Sequence, residues 1–247
     1  MRSFYRAAMA TASLALLAGL PLLAEDLTIV AKYSTSKGTS GISTTYLATD
    51  KVRIASPEQD TIMDLKAGRY VFVDHKKKEY WETTAAEMEA MAKQLEAQMS
   101  QMAEQMKNMP AAIRDKLSGG PIQPVTVQKG AGSKVIAGYT CEPYTVSMGD
   151  TMKVEMWVAP DFAFPPQSLD ARKALYQGPL AQKLGKVFDE MKKIKGYPLL
   201  EVTNMRLMGI AADSTREVTE VRKGAIPAAT FEVVAGYKKK DSPFKAR

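Results

Sequence analysis

The sequence predicts an α+β protein: one antiparallel sheet with helical insertions. Three observations carry this. Short runs of alternating polar and apolar residues are separated by tight turns, one long stretch has helical period, and strand-like text resumes after it. Strands on both sides of the helix argue for one domain over residues 25–247 rather than two.

The first 24 residues are set apart from that domain. Arg2 and Arg6 form a basic start, Ala7 to Leu23 is an apolar run broken by Gly19 and Pro21, and Ala24 precedes Glu25 and Asp26. This is the pattern of a secretory signal peptide cut after Ala24. The run is too short and too broken to be a membrane span, and no Cys follows it to carry a lipid. The expectation is an exported, periplasmic chain that does not span the membrane once processed. Loss of Arg2 and Arg6 lowers the formal charge from +7 to +5.

The elements follow in order. Leu27 to Tyr33 reads as a strand, Ser34 to Gly41 as a turn, and Ile42 to Ala48 with Lys51 to Ala55 as a hairpin. Alternation places Val52 and Ile54 inward and Lys51 and Arg53 outward. Thr61 to Leu65 and Arg69 to Val73 pair across Lys66-Ala67-Gly68, and Glu79 to Trp81 returns after a lysine-rich turn.

The period then changes. Thr84 and Glu87 have the spacing of a capping box, with Thr84 as N-cap. Met88, Met91, Leu95, Met99, Met102, Met106 and Met109 follow at steps of three and four, one stripe of a long helix over about 84–109 that Pro110 ends. Ala111 to Leu117 reads as a short helix. Val125 to Lys129, Lys134 to Met148 and Met152 to Val158 read as strands. Ser168 to Tyr176 and Pro179 to Lys195 read as helices, with Gly196 as a C-cap, and Leu199 to Met208 and Thr215 to Arg222 as the last strands. Residues 238–247 read as a frayed basic tail.

Composition excludes much chemistry. One Cys rules out an internal disulfide and any cysteine-cluster metal site, and one His rules out any site needing two imidazoles. No phosphate loop, dinucleotide fingerprint or nucleophile elbow occurs. No cofactor, no metal and no enzymatic activity are therefore expected. Cys141 reads as a small buried hydrophobe and His75 as a solvated side chain of the turn Asp74-His75-Lys76-Lys77-Lys78. The runs Lys76 to Lys78 and Lys238 to Lys240 read as a solvated turn and tail, with contact to anionic head groups or polyanions as the other reading. Nucleic acid is not an expected partner, since no basic–aromatic stripe is present.

The methionine stripe is open to three readings. It packs on its own sheet; or it is an adaptable surface for a lipid-like ligand or an envelope protein; or Met99, Met102 and Met106 form a thioether copper(I) site.

Two stretches carry a family resemblance. Val135-Ile136-Ala137-Gly138-Tyr139-Thr140-Cys141-Glu142-Pro143-Tyr144 is followed by Val154-Glu155-Met156-Trp157-Val158-Ala159-Pro160, with Tyr46 to Ile54 ahead and Phe231 to Tyr237 near the end. These resemble an exported bacterial domain-of-unknown-function family, number 4412, which is similar in outline to the LolA/LolB-type lipoprotein carriers. The resemblance implies a curved antiparallel sheet, an open half-barrel, with helices covering its concave side and a cavity able to hold acyl chains. The long Met-rich helix departs from the carriers. The expected function is non-enzymatic binding of a hydrophobic or lipid-like ligand in the cell envelope. Met88, Met91, Leu95, Met99, Met102 and Met106 would form the lid, and Phe72, Tyr80, Trp81 and Trp157 the lining.

Overall fold

The computed structural model describes residues 26–106, 123–162, 178–207 and 210–243. Among them thirteen strands form one sheet. The first six are β1 (Leu27–Thr35), β2 (Ser40–Leu47), β3 (Lys51–Ala55), β4 (Gln59–Asp64), β5 (Arg69–Asp74) and β6 (Glu79–Thr84), followed by helix α1 (Ala85–Met106). Then come β7 (Val125–Lys129), β8 (Lys134–Ile136), β9 (Tyr139–Met148), β10 (Met152–Ala159) and helix α2 (Gly178–Met191). β11 (Tyr197–Leu207), β12 (Ile210–Lys223) and β13 (Lys238–Lys240) complete the chain. The signal-peptide segment and the short helices read over Ala111 to Leu117 and Ser168 to Tyr176 lie outside the described residues.

The strand order is β13-β6-β5-β4-β3-β2-β1-β12-β11-β10-β9-β7, with β8 paired to β9. The sheet is large, curved and unclosed, with β13 and β7 at its ends. At β8–β9 the expected single strand is broken, because Ala137 (φ 48°) and Gly138 (φ 85°) close a two-residue loop between the paired Ile136 and Tyr139. Positive φ at both loop positions matches the right-handed twist of the flanking strands. The first and last long strands meet at the centre, β1 antiparallel to β12.

Register makes the first half of the sheet two-faced. Leu27, Leu47, Val52, Met63, Tyr70 and Thr83 stand opposite one another across β1 to β6. Beside them runs a second row, Ile29, Thr45, Ile54, Thr61, Phe72 and Trp81. These rows build the main core cluster, to which α1 contributes Met88 and the far strands add Val218, Leu199 and Cys141. At its start α1 carries the capping box that the spacing predicts. The Glu87 amide donates to Thr84 Oγ1 (3.2 Å), and the Thr84 amide donates to Glu87 Oε2 (2.9 Å).

The opposite face is not open to water, as the outward reading of Arg53 would require. After β12 the chain turns back over it, through a 3₁₀ turn (Ala228–Phe231), and Phe231 is buried against Ile62, Val71 and Val73. Ile226, Val233 and Tyr237 extend this strap. Arg53 donates from Nη1 to the Thr230 carbonyl at 2.7 Å, tying β3 to the strap.

The frayed tail expected from Lys238 onward is also corrected at its start. Lys238 to Lys240 form β13, which pairs in parallel with Glu79 to Trp81. Backbone hydrogen bonds and two ion pairs, Lys239–Glu82 at 2.8 Å and Lys240–Glu79 at 3.0 Å, replace the apolar alternation that would have marked a strand.

Candidate functional site: a cavity between α2 and the sheet

The second core cluster sits under α2. Leu184, Val187, Phe188 and Met191 recur at helical spacing along one face of α2. Three of them are buried against Val146, Val154, Met156 and Val158 of β9 and β10. Between Leu184–Met191 and strands β10 to β12 this packing leaves a cavity of about 290 Å³.

Its walls differ in character. The helix side is apolar, and Met152, Val154 and Met205 continue that surface onto the strands. The floor is polar: Glu201 and Thr203 from β11, Ser214 and Arg216 from β12. Glu201 and Arg216 are directly opposed across the two strands. The Arg216 guanidinium donates from Nη2 to the Tyr197 hydroxyl at 2.9 Å, lies 3.6 Å from a Glu201 carboxylate oxygen through Nη1, and sits 5.6 Å from the centre of the Tyr197 ring. Tyr197 is itself buried and stacked on Phe162 with centroids 5.2 Å apart. A half-buried cation is thus held at one end of an apolar space by an aromatic group and a carboxylate.

Gly196 fixes the approach to β11. The helix ends at Met191, earlier than the expected Lys195, and Gly196 has φ +105° with a Cβ position that would collide with the Ala159 carbonyl. Only glycine fits both the conformation and the close crossing of the two chains.

The expected site residues are distributed as follows. Met88 is 3% exposed and belongs to the core with Met63 and Tyr70, and Met91 is half-buried. The side chains of Leu95, Met99, Met102 and Met106 lie outside the described residues, as does the copper(I) arrangement built on three of them. Phe72 and Trp81 come together as a cross-strand pair, stacked with centroids 4.1 Å apart. Tyr80 packs in the cluster beneath the strap, on the other face of β6. Trp157 stands opposite Pro143 and Leu200 and, like Phe72, packs against the main core cluster; it is not among the residues that line the cavity. The four aromatics therefore do not share one lining.

The cavity residues were accessible to sequence reasoning only in part. The spacing of Leu184, Val187, Phe188 and Met191 is a clear signal. Arg216 could have been found from Val218: strand alternation puts both on one face, and an arginine at an inward position needs a partner.

His75 is not the solvated side chain expected. Its ring is 21% exposed, with Nε2 3.0 Å from Asp60 Oδ1 and Nδ1 3.0 Å from the Tyr237 hydroxyl. The strap and the β5–β6 turn, 162 residues apart, close around it. Cys141 is buried as expected, and burial pushes its thiol pKa up. Among the described residues, no group of three or more His, Cys, Asp or Glu side chains is placed to hold a metal ion. No described helix is long and apolar enough to cross a membrane.

The architecture is that of an unclosed antiparallel sheet whose one face carries the core and, beneath a short helix, a mixed apolar and polar cavity. The chain belongs to the family described as Domain of unknown function (DUF4412), which matches residues 28–237. No curated protein matches. Among solved structures, an uncharacterized conserved protein from Thermus thermophilus is 7% identical over 90% of this chain and 92% of its own, with a TM-score of 0.44. MucB is 11% identical over 87% of this chain, which spans 60% of MucB, with a TM-score of 0.42. A LolA superfamily protein from Nitrosomonas europaea is 7% identical over 85% of this chain and 91% of its own, with a TM-score of 0.29.

Proposed function

We propose that the protein binds a hydrophobic or lipid-like molecule in the cell envelope, without transforming it. The cavity under α2 carries this reading. It is concave, apolar over most of its wall, and supplied with a few convergent polar groups at one end, the usual form of a small-molecule site. Its volume of about 290 Å³ suits an acyl chain or a compact amphiphile. Glu201, the only carboxylate among the described lining residues, is engaged by Arg216, which favours binding over acid–base work.

Organic extraction of the purified protein, followed by titration with a fluorescent fatty acid, tests this. Co-purified lipid, or saturable probe binding that Ser214→Phe abolishes by filling the cavity, is the expected result. No extractable lipid together with no probe binding overturns it. Processing is tested separately: the exported form should begin at Glu25 on N-terminal sequencing.

A further inference from the structure

We infer that the two lysine runs form one basic docking surface for an anionic phospholipid bilayer. In the sequence Lys76–Lys78 and Lys238–Lys240 are far apart; in the fold they are neighbours. β13 pairs in parallel with β6 so that Lys238 stands opposite Glu79, and the Lys238 amide donates to the Lys78 carbonyl at 3.0 Å. The contact between His75 and Tyr237 fixes the residues just before each run, so the runs leave from one anchored point.

The charge is only partly matched. Lys77 pairs with Asp74, Lys239 with Glu82 and Lys240 with Glu79. Arg69 shares Glu82, and Asp241 follows the run. Glu87 lines the same groove as Arg69, Glu82, Lys239, Lys240 and Asp241, so seven cations face five carboxylates, a local surplus of two. Lys76, Lys78 and Lys238 are exposed and make no side-chain ion pair among the described residues.

Val234 adds an apolar element. It is 45% exposed in the turn that leads into β13, its carbonyl accepting the Tyr237 amide at 3.4 Å. An exposed apolar side chain beside unmatched lysines suits a head-group region, where the cations meet phosphate and the apolar group meets acyl chain. A soluble polyanion would reward the lysines but not Val234. This surface lies across the sheet from the α2 cavity and does not depend on what the cavity holds.

The test is flotation of the purified protein with vesicles of phosphatidylglycerol and phosphatidylcholine, against vesicles of phosphatidylcholine alone. Binding to the anionic vesicles only, lost in ~0.5 M salt, is expected. Lys76→Ala/Lys78→Ala/Lys238→Ala should weaken it by roughly a hundredfold, at about fivefold per lysine. Lys37→Ala/Lys186→Ala/Lys195→Ala removes the same charge elsewhere and should change it little. Equal binding to both vesicle types, equal loss in the two triple variants, or binding to heparin without binding to vesicles would each overturn the proposal.

Discussion

The carboxylate of Asp60 accepts a charge-assisted hydrogen bond from Arg53 across the β3–β4 hairpin, on the face of the sheet that the C-terminal strap covers. Asp60 is 1% exposed and also receives the Ser56 amide at 3.3 Å. A carboxylate this deep is tolerated because each oxygen has a donor. Asp60→Ala should leave Arg53 and His75 without their anion and cost about 3–5 kcal/mol. The midpoint of urea unfolding reads the loss; a variant within 0.5 kcal/mol of the parent, an effect no larger than about that of a surface change, would show that the pair is not structural.

The strap should be part of the cooperative unit. Phe231 is its most buried side chain, packed on Ile62, Val71 and Val73. Phe231→Ala is expected to cost about 3 kcal/mol, near the lower end for a buried aromatic because the site lies at the surface of the sheet. Limited proteolysis should then cut between 224 and 237 before any other described segment. Unchanged resistance would mean that the strap holds without its anchor.

The α1 capping box makes a smaller, local prediction. Thr84→Ala removes the acceptor of the Glu87 amide and should cost about 1 kcal/mol. Hydrogen exchange at the Glu87 amide should quicken, while exchange in β1 and β12 stays as it was.

Cys141 should behave as a masked thiol. It is buried, its side chain is directed to the Tyr139 carbonyl at 3.5 Å, and burial raises its pKa. Modification by a maleimide at neutral pH should be slower than in urea by about a hundredfold or more, because the thiolate is scarce and screened from the reagent. Comparable rates in the two conditions would contradict the buried placement.

Asp213 supplies a pH test with a defined sign. The Arg206 side chain beside it, followed by Asn204, holds its carboxyl below the usual carboxylate range. Its contribution to stability is present above the ordinary carboxylate pKa and lost as pH falls through the lowered value of the folded state. Arg206→Gln should raise the Asp213 pKa in an NMR titration and flatten that part of the acid limb. An unshifted titration would show that the bidentate pair, with Nη2 2.8 Å from Oδ2, does not persist in solution.

What the sequence made legible was local. Alternation around Val52 and Ile54 and the Thr84–Glu87 spacing led to the right strands and the right helix start, because each signal lies within a few residues. Long-range events were not legible. Arg53 reads as outward because nothing near it announces a strap from residues 224–237. Lys238 to Lys240 read as tail because three lysines carry no strand alternation, and their pairing depends on Glu79 and Glu82 far upstream. The cavity falls between these cases. The α2 face is periodic, yet the meeting of Glu201 with Arg216 is a product of register, which a single sequence does not specify.

β13 also decides what the molecule can become in a crowd. A sheet of thirteen strands with an open rim is a template on which other chains could grow. At the β13 rim the template is three consecutive lysines. A second copy adding itself there in the same manner would set lysine against lysine, and at the Lys238 rung, where the described residues supply no pairing carboxylate, like charges would oppose each other. Fibre growth from that side is therefore disfavoured by the same residues that the strap brings into place.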